Sequence, residues 1–193
     1  MRCGLAFSIT LFACSALHAA AQPSPVALEI ARLRVPPMDL EAYIATKLKQ
    51  QIKANGLAGS SAREVAVNKA VDAEVEAQFV NKIAPAAIEA TATVYQSRYT
   101  AAELEQLRAF YATKTGQLLF GRSNSTSSGG PKGAEAAAAA NSPEGFAFLK
   151  SPLGHSENSG GVAAADNAGA EAVRTVMPMV VQSVLARVAA VPQ

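Results

Sequence analysis

Apolar residues recur along most of the chain at the spacing of an α-helix. The first clear stripe follows Pro37, where Asp39 can cap a helix and Gly56 can end it. Its apolar face carries Leu40, Tyr43, Ile44, Leu48 and Ile52. Because no segment shows a clear alternation of β-branched residues, the pattern predicts an all-α fold, a small irregular helical bundle.

Two serine or threonine residues are followed three positions later by glutamate, the pattern of a capping box. The first pair is Ser61 and Glu64, and the second is Thr100 and Glu103. The helix predicted after Ser61 carries Val65, Val67, Ala70, Val71, Val75, Phe79, Val80 and Ile83, and the helix predicted after Thr100 carries Leu104, Leu107, Phe110 and Tyr111. We expect Pro85 to kink or restart the first of these two helices.

The C-terminal third alternates between polar and apolar segments. Residues 121–142 are rich in Ser, Gly and Ala, so we expect a disordered, exposed low-complexity linker there. A short helix is predicted after Ser142, and residues 154–169 read as a second polar, glycine-rich loop. The last predicted helix carries Val173, Val176, Met177, Val180, Val184 and Val188 on one face, with a kink at Pro178.

The N-terminus has the pattern of a secretory signal peptide. Arg2 precedes an apolar stretch over residues 3–17, and Ala19 and Ala21 form a cleavage site before Gln22. A buried N-terminal helix is the alternative interpretation. The pattern predicts a signal peptide over 1–21, a lead-in over 22–38, one helical domain over 39–193, and no transmembrane helix in the mature chain.

The segment from Leu11 to Cys14 also resembles a lipoprotein signal, in which the cysteine takes a lipid, although Phe12 departs from the usual small residue. We therefore expect a periplasmic or secreted protein, with lipid anchoring at Cys14 as the alternative.

Composition removes most catalytic chemistries from the predicted mature chain. Both cysteines, Cys3 and Cys14, lie in the leader, and His155 is the one histidine beyond it. The formal net charge is only +2, so nothing favours nucleic acid as a partner. Asp72 and Glu76 are four positions apart, as expected for a solvated helix face. The sequence assigns no catalytic, cofactor-binding or metal-binding residue.

One short motif occurs twice. AFYATKTGQ, residues 109–117, returns as AFLKSPLGH, residues 147–155. Each copy ends a predicted helix with large apolar residues, Phe110 and Tyr111 or Phe148 and Leu149. We interpret the two copies as helix ends followed by tight turns, at which Gly116 and Gly154 adopt a positive φ.

Residues 99–117 resemble the signature of the domain-of-unknown-function family 2059. The matching positions are Thr100, Glu103, Leu104, Phe110, Tyr111, Gly116 and Gln117, and the second copy keeps Phe148, Ser151, Pro152 and Gly154. Thr113 and Lys114 replace the usual Ser-Pro of the first copy, and a looser resemblance extends over residues 39–188. The resemblance implies secreted, α-helical bacterial proteins and no established activity or cofactor.

These observations leave three functional hypotheses. The first is a non-enzymatic periplasmic protein that acts through protein, envelope or small-ligand contacts, including self-association through the helix from Val173 to Val188. The second is an envelope hydrolase that uses carboxylates from Asp72, Glu76, Glu89 or Glu103. The third is a lipid-anchored envelope protein. A pocket lined by Tyr43, Tyr95 or Tyr111 would favour ligand binding.

Overall fold

Helices make up the regular secondary structure in the part of the chain that the computed structural model describes, residues 22–34, 37–120 and 131–192. The chain order is α1 (Pro25–Arg34), α2 (Pro37–Ala54), α3 (Ser61–Gln78), a π-helical turn (Phe79–Ile83), α4 (Ala84–Arg98), α5 (Ala101–Tyr111), α6 (Lys114–Phe120), α7 (Pro131–Asn141), α8 (Pro143–Lys150), α9 (Pro152–Ser156), a second π-helical turn (Glu157–Gly161) and α10 (Val162–Ala189). The predicted all-α fold is confirmed.

Helix α10 packs along α4 and α3. The start of α10 belongs to one apolar cluster, and its C-terminal half belongs to a second. The first cluster joins α1, α4, α5 and α6 to the start of α10; its largest members are Ile30, Tyr95, Tyr99, Leu104, Leu107, Phe110, Tyr111, Phe120 and Leu153. The second cluster joins α2, α3 and the C-terminal half of α10; its members include Ile44, Leu48, Ile52, Val67, Val71, Val75, Phe79, Ile83, Val180, Val184 and Val188. The predicted stripes therefore supply most of the core, although Tyr43 and Val65 are exposed.

The segment 22–38 is more than a lead-in to the domain. Residues 25–34 form α1, and Ala27, Ile30, Ala31 and Arg34 on this helix are buried. The segment between the flanking prolines has a short amphipathic pattern, in which residues three and four apart share a face. The prolines make this pattern hard to recognise in the sequence. Helix α1 is therefore part of the first core cluster and holds one wall of the cleft described below.

Pro85 does not break the chain of helical turns between α3 and α4. A proline at this position has no N–H to donate to the carbonyl of residue 81, so the regular α-helical ladder cannot continue. The preceding turn widens instead, and the N–H of Ala84 donates to the carbonyl of Phe79, five residues back. Such π-helical turns often occur at functional sites.

The two predicted capping boxes have different outcomes. The box at Thr100 is confirmed, because Thr100 Oγ1 accepts from the N–H of Glu103 while a carboxylate oxygen of Glu103 accepts from the N–H of Thr100. The prediction of a capping box at Ser61 is wrong. Helix α3 begins at Ser61 itself, Ser60 is the N-cap residue without a side-chain capping bond, and Glu64 pairs with Lys53 instead.

Two stretches predicted as polar loops are helical. Residues 131–141 of the expected linker form α7, where Ala139 is buried; residues 121–130 lie outside the described part. The stretch 154–169 is helical apart from a break at Gly160, where φ is 156°. Helix α10 continues through Pro178.

The helical run Pro152–Ala189 is long and apolar enough to cross a membrane by length and composition alone, as core helices of soluble proteins also are. It leaves the prediction about transmembrane helices untested. Val180, Val184 and Val188, on the face expected to be free for self-association, are buried in the protein's own core.

Candidate functional site

Three tyrosines surround one fully buried carboxylate. Glu157, at the start of the second π-helical turn, is 0 % exposed. Tyr99 donates to its Oε1 at 2.5 Å, Tyr95 donates to its Oε2 at 3.0 Å, and Tyr111 also donates to Oε2. We call Tyr95, Tyr99, Tyr111 and Glu157 the tyrosine–glutamate cluster. Its hydrogen bonds satisfy a charge that would otherwise be very costly to bury.

Arg34 extends the cluster toward α1. Its Nη1 donates to the Tyr95 hydroxyl at 2.6 Å, and its Nη2 lies 2.9 Å from a carboxylate oxygen of Asp166 on α10. The guanidinium also lies over the rings of Tyr95 and Tyr111, at 5.8 and 5.7 Å from their centroids. Arg34 is 2 % exposed, so this cation joins α1 to α4 and α10 from inside the protein.

Burial changes the acidity of the tyrosines. Removal from water raises the pKa of Tyr95, Tyr99 and Tyr111 above the usual value of 10.0, because the charged phenolate is poorly solvated there. The adjacent Glu157 carboxylate raises all three values further. The tyrosines are therefore neutral hydrogen-bond donors at physiological pH, which suits the structural role of holding a carboxylate.

The two copies of the repeated motif meet in the core. Phe110 and Phe148 occupy equivalent positions in the copies, and their rings stack with centroids 3.7 Å apart and an interplanar angle of 3°. Phe120 contacts both rings edge-on. Gln117 donates to the carbonyls of Tyr111 and Leu33, and thereby ties α6 to the end of α1. These contacts give the motif residues a packing role.

The motif glycines do not adopt a positive φ, so that prediction is wrong; among the described residues only Gly56, Gly59 and Gly160 do. Gly116 and Gly154 lie instead in the first turns of α6 and α9. A Cβ would lie 2.1 Å from the Phe110 carbonyl oxygen at Gly116 and 2.0 Å from that of Phe148 at Gly154. Glycine is required because two backbone segments approach closely.

The close backbone approach at Gly116 and Gly154, which we call a corner, occurs a third time at Gly145, where the sequence pattern predicts only the start of a helix. Ser142 Oγ accepts from the N–H of Gly145 and donates to the carbonyl of Ala139. Ser151 makes the equivalent bonds with Gly154 and Phe148. A serine or threonine followed three positions later by glycine is therefore the local signal for these corners.

A cleft of about 710 Å³ opens between α1, α2, the first π-helical turn and α4. Its apolar lining comes from Pro23, Leu28, Phe79, Val80, Ala84, Pro85 and Ile88, and its polar lining from Gln22, Arg32, Glu41 and Glu89. Phe79 belongs to the second core cluster, while Leu28 and Ile88 pack against the first. The cleft thus lies where the two cores meet, and its volume is in the range of small-molecule sites.

Most of the sequence-predicted candidates do not line this cleft. Asp72 pairs with Lys49 on the surface, Glu76 is exposed, and Glu103 caps α5. Glu89 does line the cleft, together with Glu41, which sequence reasoning missed. His155 is exposed. Tyr95 and Tyr111 lie inside the core and Tyr43 on the surface, so none of the three lines the cleft.

No group of three or more metal-ligating residues occurs in the described part of the chain. Ala19, Ala21 and Cys14 lie outside the described residues, whereas Gln22 is at the rim of the cleft.

Fold and site together define an α-helical protein with a buried tyrosine–glutamate cluster and an apolar cleft. Residues 86–144 match the family described as "Uncharacterized protein conserved in bacteria (DUF2059)". The resemblance read from residues 99–117 is therefore confirmed. The matched segment contains the three tyrosines of the cluster, while Arg34 and Glu157 lie outside it. No curated protein and no solved structure matched the chain.

Proposed function

We propose that this protein is exported to the periplasm or beyond and acts there without covalent chemistry, binding an apolar ligand in the cleft between α1, α2 and α4. The cleft itself carries the proposal, because a concave site of about 710 Å³ with a mainly apolar lining and a few polar groups suits a small ligand. Val80 supports it, since this large apolar side chain is 63 % exposed at the cleft.

Export is supported by the leader pattern of Arg2, the apolar stretch 3–17 and the cleavage site at Ala19 and Ala21. The absence of a covalent role is supported by the dispersal of Asp72, Glu76 and Glu103 over the surface. The carboxylate-dependent envelope hydrolase remains the alternative for one reason: Glu41 and Glu89 share the cleft. Lipid anchoring at Cys14 is the alternative for the N-terminus, and an intact-mass measurement of the exported protein distinguishes a start at Gln22 from a lipidated Cys14.

Ligand binding is tested with a matched pair of valine substitutions. Val80 lines the cleft, whereas Val65 is 71 % exposed on α3 and does not. We expect the neutral fluorophore phenylnaphthylamine to bind the wild-type protein saturably. Val80→Asp should weaken this binding by about tenfold, because the apolar ligand would remove the new charge from water without supplying a partner. Fluorescence titration of the two variants and the wild type measures the effect.

Val65→Asp is the control and is expected to retain wild-type affinity. An equal loss of affinity for the fluorophore in both variants would point to a general change in the surface or in folding. Wild-type affinity in both variants would mean that the fluorophore binds elsewhere. Either result contradicts binding in the cleft. Release of products from envelope lipids or polymers, lost in Glu41→Gln or Glu89→Gln, would favour the hydrolase.

A further inference from the structure

Resting on the proposed function, we infer that the natural ligand is a zwitterionic amphiphile, with one apolar chain and a head that carries an ammonium and a phosphate group. The apolar floor of the cleft would take the chain. Glu41 and Glu89 would bind the ammonium, and Arg32 would bind the phosphate. The inference depends on the charged residues that line the cleft as well as on its apolar lining.

Three charged side chains line the cleft without an ion pair or side-chain hydrogen bond to any other described residue: Arg32, Glu41 and Glu89. Two other charged residues on α1 and α2 have ion pairs, by contrast. Arg34, two residues after Arg32, bonds to Tyr95 and Asp166, and Lys49 on α2 pairs with Asp72. The cleft is therefore lined by charges of both signs that have no ion pair among the described residues, each on a different helix, beside apolar surface.

The balance of these charges selects the head group. A ligand with only an anionic head would meet Arg32 but would also face two carboxylates, and like charges at close range repel. A ligand with only a cationic head would leave Arg32 without a partner. A head with both charges can satisfy all three side chains, and a guanidinium matches phosphate geometry with two parallel hydrogen bonds.

The apolar part of the ligand is indicated by the first π-helical turn. Phe79 and Val80 on this turn, with Ala84 and Ile88 on α4, form a continuous apolar strip beside Leu28 of α1. A single acyl chain has no hydrogen-bonding groups, so it can lie along this strip without leaving polar atoms unsatisfied. A cleft of about 710 Å³ suits one such chain with its head better than it suits a protein partner.

The test compares three lipids with the same acyl chain as competitors of phenylnaphthylamine, each below its micellar concentration. Monoacylglycerol has a neutral head, lysophosphatidic acid has a phosphate alone, and lysophosphatidylethanolamine has both charges. We expect lysophosphatidylethanolamine to displace the fluorophore about tenfold more effectively than either of the others. In R32Q its advantage over monoacylglycerol falls to about twofold or less, and in the E41Q/E89Q double variant its advantage over lysophosphatidic acid does the same.

E76Q is the control, because Glu76 is an exposed glutamate on α3 that does not line the cleft, and it should keep both ratios. Circular dichroism confirms that each variant is folded. Equal displacement by the three lipids, or ratios that persist in R32Q and E41Q/E89Q, would overturn the zwitterionic head while leaving apolar-ligand binding in place. The proposed function would be overturned if the fluorophore did not bind saturably and none of the three lipids displaced it.

Discussion

Replacement of Glu157 by alanine is expected to lower the free energy of unfolding by about 3–5 kcal/mol, because it removes one partner from a buried, charged network. Three tyrosine hydroxyls would lose their acceptor, and Arg34 would lose the negative charge that it reaches through the Tyr95 hydroxyl. Urea unfolding followed by far-UV circular dichroism measures the change. The loss should appear as a lower midpoint with a similar denaturant slope.

Two further variants separate the charge from the volume of the side chain. Glu157→Gln keeps the shape and one carbonyl acceptor, so a smaller loss is expected than for alanine. Glu76→Gln changes an exposed glutamate on α3 and should alter the unfolding free energy by less than about 0.5 kcal/mol. A Glu157→Ala protein as stable as the Glu76→Gln protein would show that the tyrosine–glutamate cluster does not hold the fold together.

Gly154→Ala is expected to destabilise the protein by about 3 kcal/mol, although helix propensity alone predicts a gain of about 1 kcal/mol for this change. Gly154 has a helical backbone in the first turn of α9, but its Cβ would lie 2.0 Å from the Phe148 carbonyl oxygen. Relieving that contact requires moving Phe148, whose ring stacks on Phe110. Thermal or urea unfolding gives the sign directly, and Gly116→Ala should behave in the same way.

Gly56→Ala provides the contrast. Gly56 has a positive φ of 69°, but a Cβ there would meet no atom within 4 Å. The free energy of unfolding should therefore fall in Gly56→Ala only by the cost of backbone strain, about 1–2 kcal/mol. A stabilising effect of Gly154→Ala would mean that the corner relaxes freely, and would contradict the packing role given to the motif glycines.

Local pattern was sufficient to predict most of the longer helices and much of the core. Leu104, Leu107, Phe110 and Tyr111 recur at helical spacing and are all buried on α5. The capping box at Thr100 was predictable for the same reason, since its partners are three residues apart. Features that depend on neighbours in sequence could thus be read from the sequence.

The tyrosine–glutamate cluster was not predictable in this way. Glu157 lies 46 to 62 residues from its three tyrosines, and Arg34 lies 132 residues from Asp166. The glycines around Glu157 indicated a loop. In the structure a Cβ at Gly161 would lie 2.4 Å from the Tyr99 hydroxyl and 2.5 Å from Glu157 Oε1, so this glycine makes room for the cluster. The fold, and no local rule, brings these groups together.

Local sequence patterns could not predict the cleft either. Its walls come from α1, α2, the first π-helical turn and α4, whereas the sequence pattern predicts only a lead-in over residues 22–38. Of the acidic candidates, only Glu89 proved to be at the cleft, and its companions Glu41 and Arg32 have no distinguishing sequence context. A site that forms between two core clusters becomes visible only when both clusters are assembled.

The central claim is that an apolar chain occupies the cleft, and photolabelling tests it most directly. A monoacylglycerol whose acyl chain carries a diazirine is bound to the purified protein and irradiated, and the labelled residues are located by peptide mass spectrometry. We predict labels on residues lining the cleft, above all Leu28, Val80 and Ile88, and their loss when unlabelled lipid competes. Labels on the exposed Met179 and Leu185 of α10 instead, or labelling that no competitor reduces, would contradict the account.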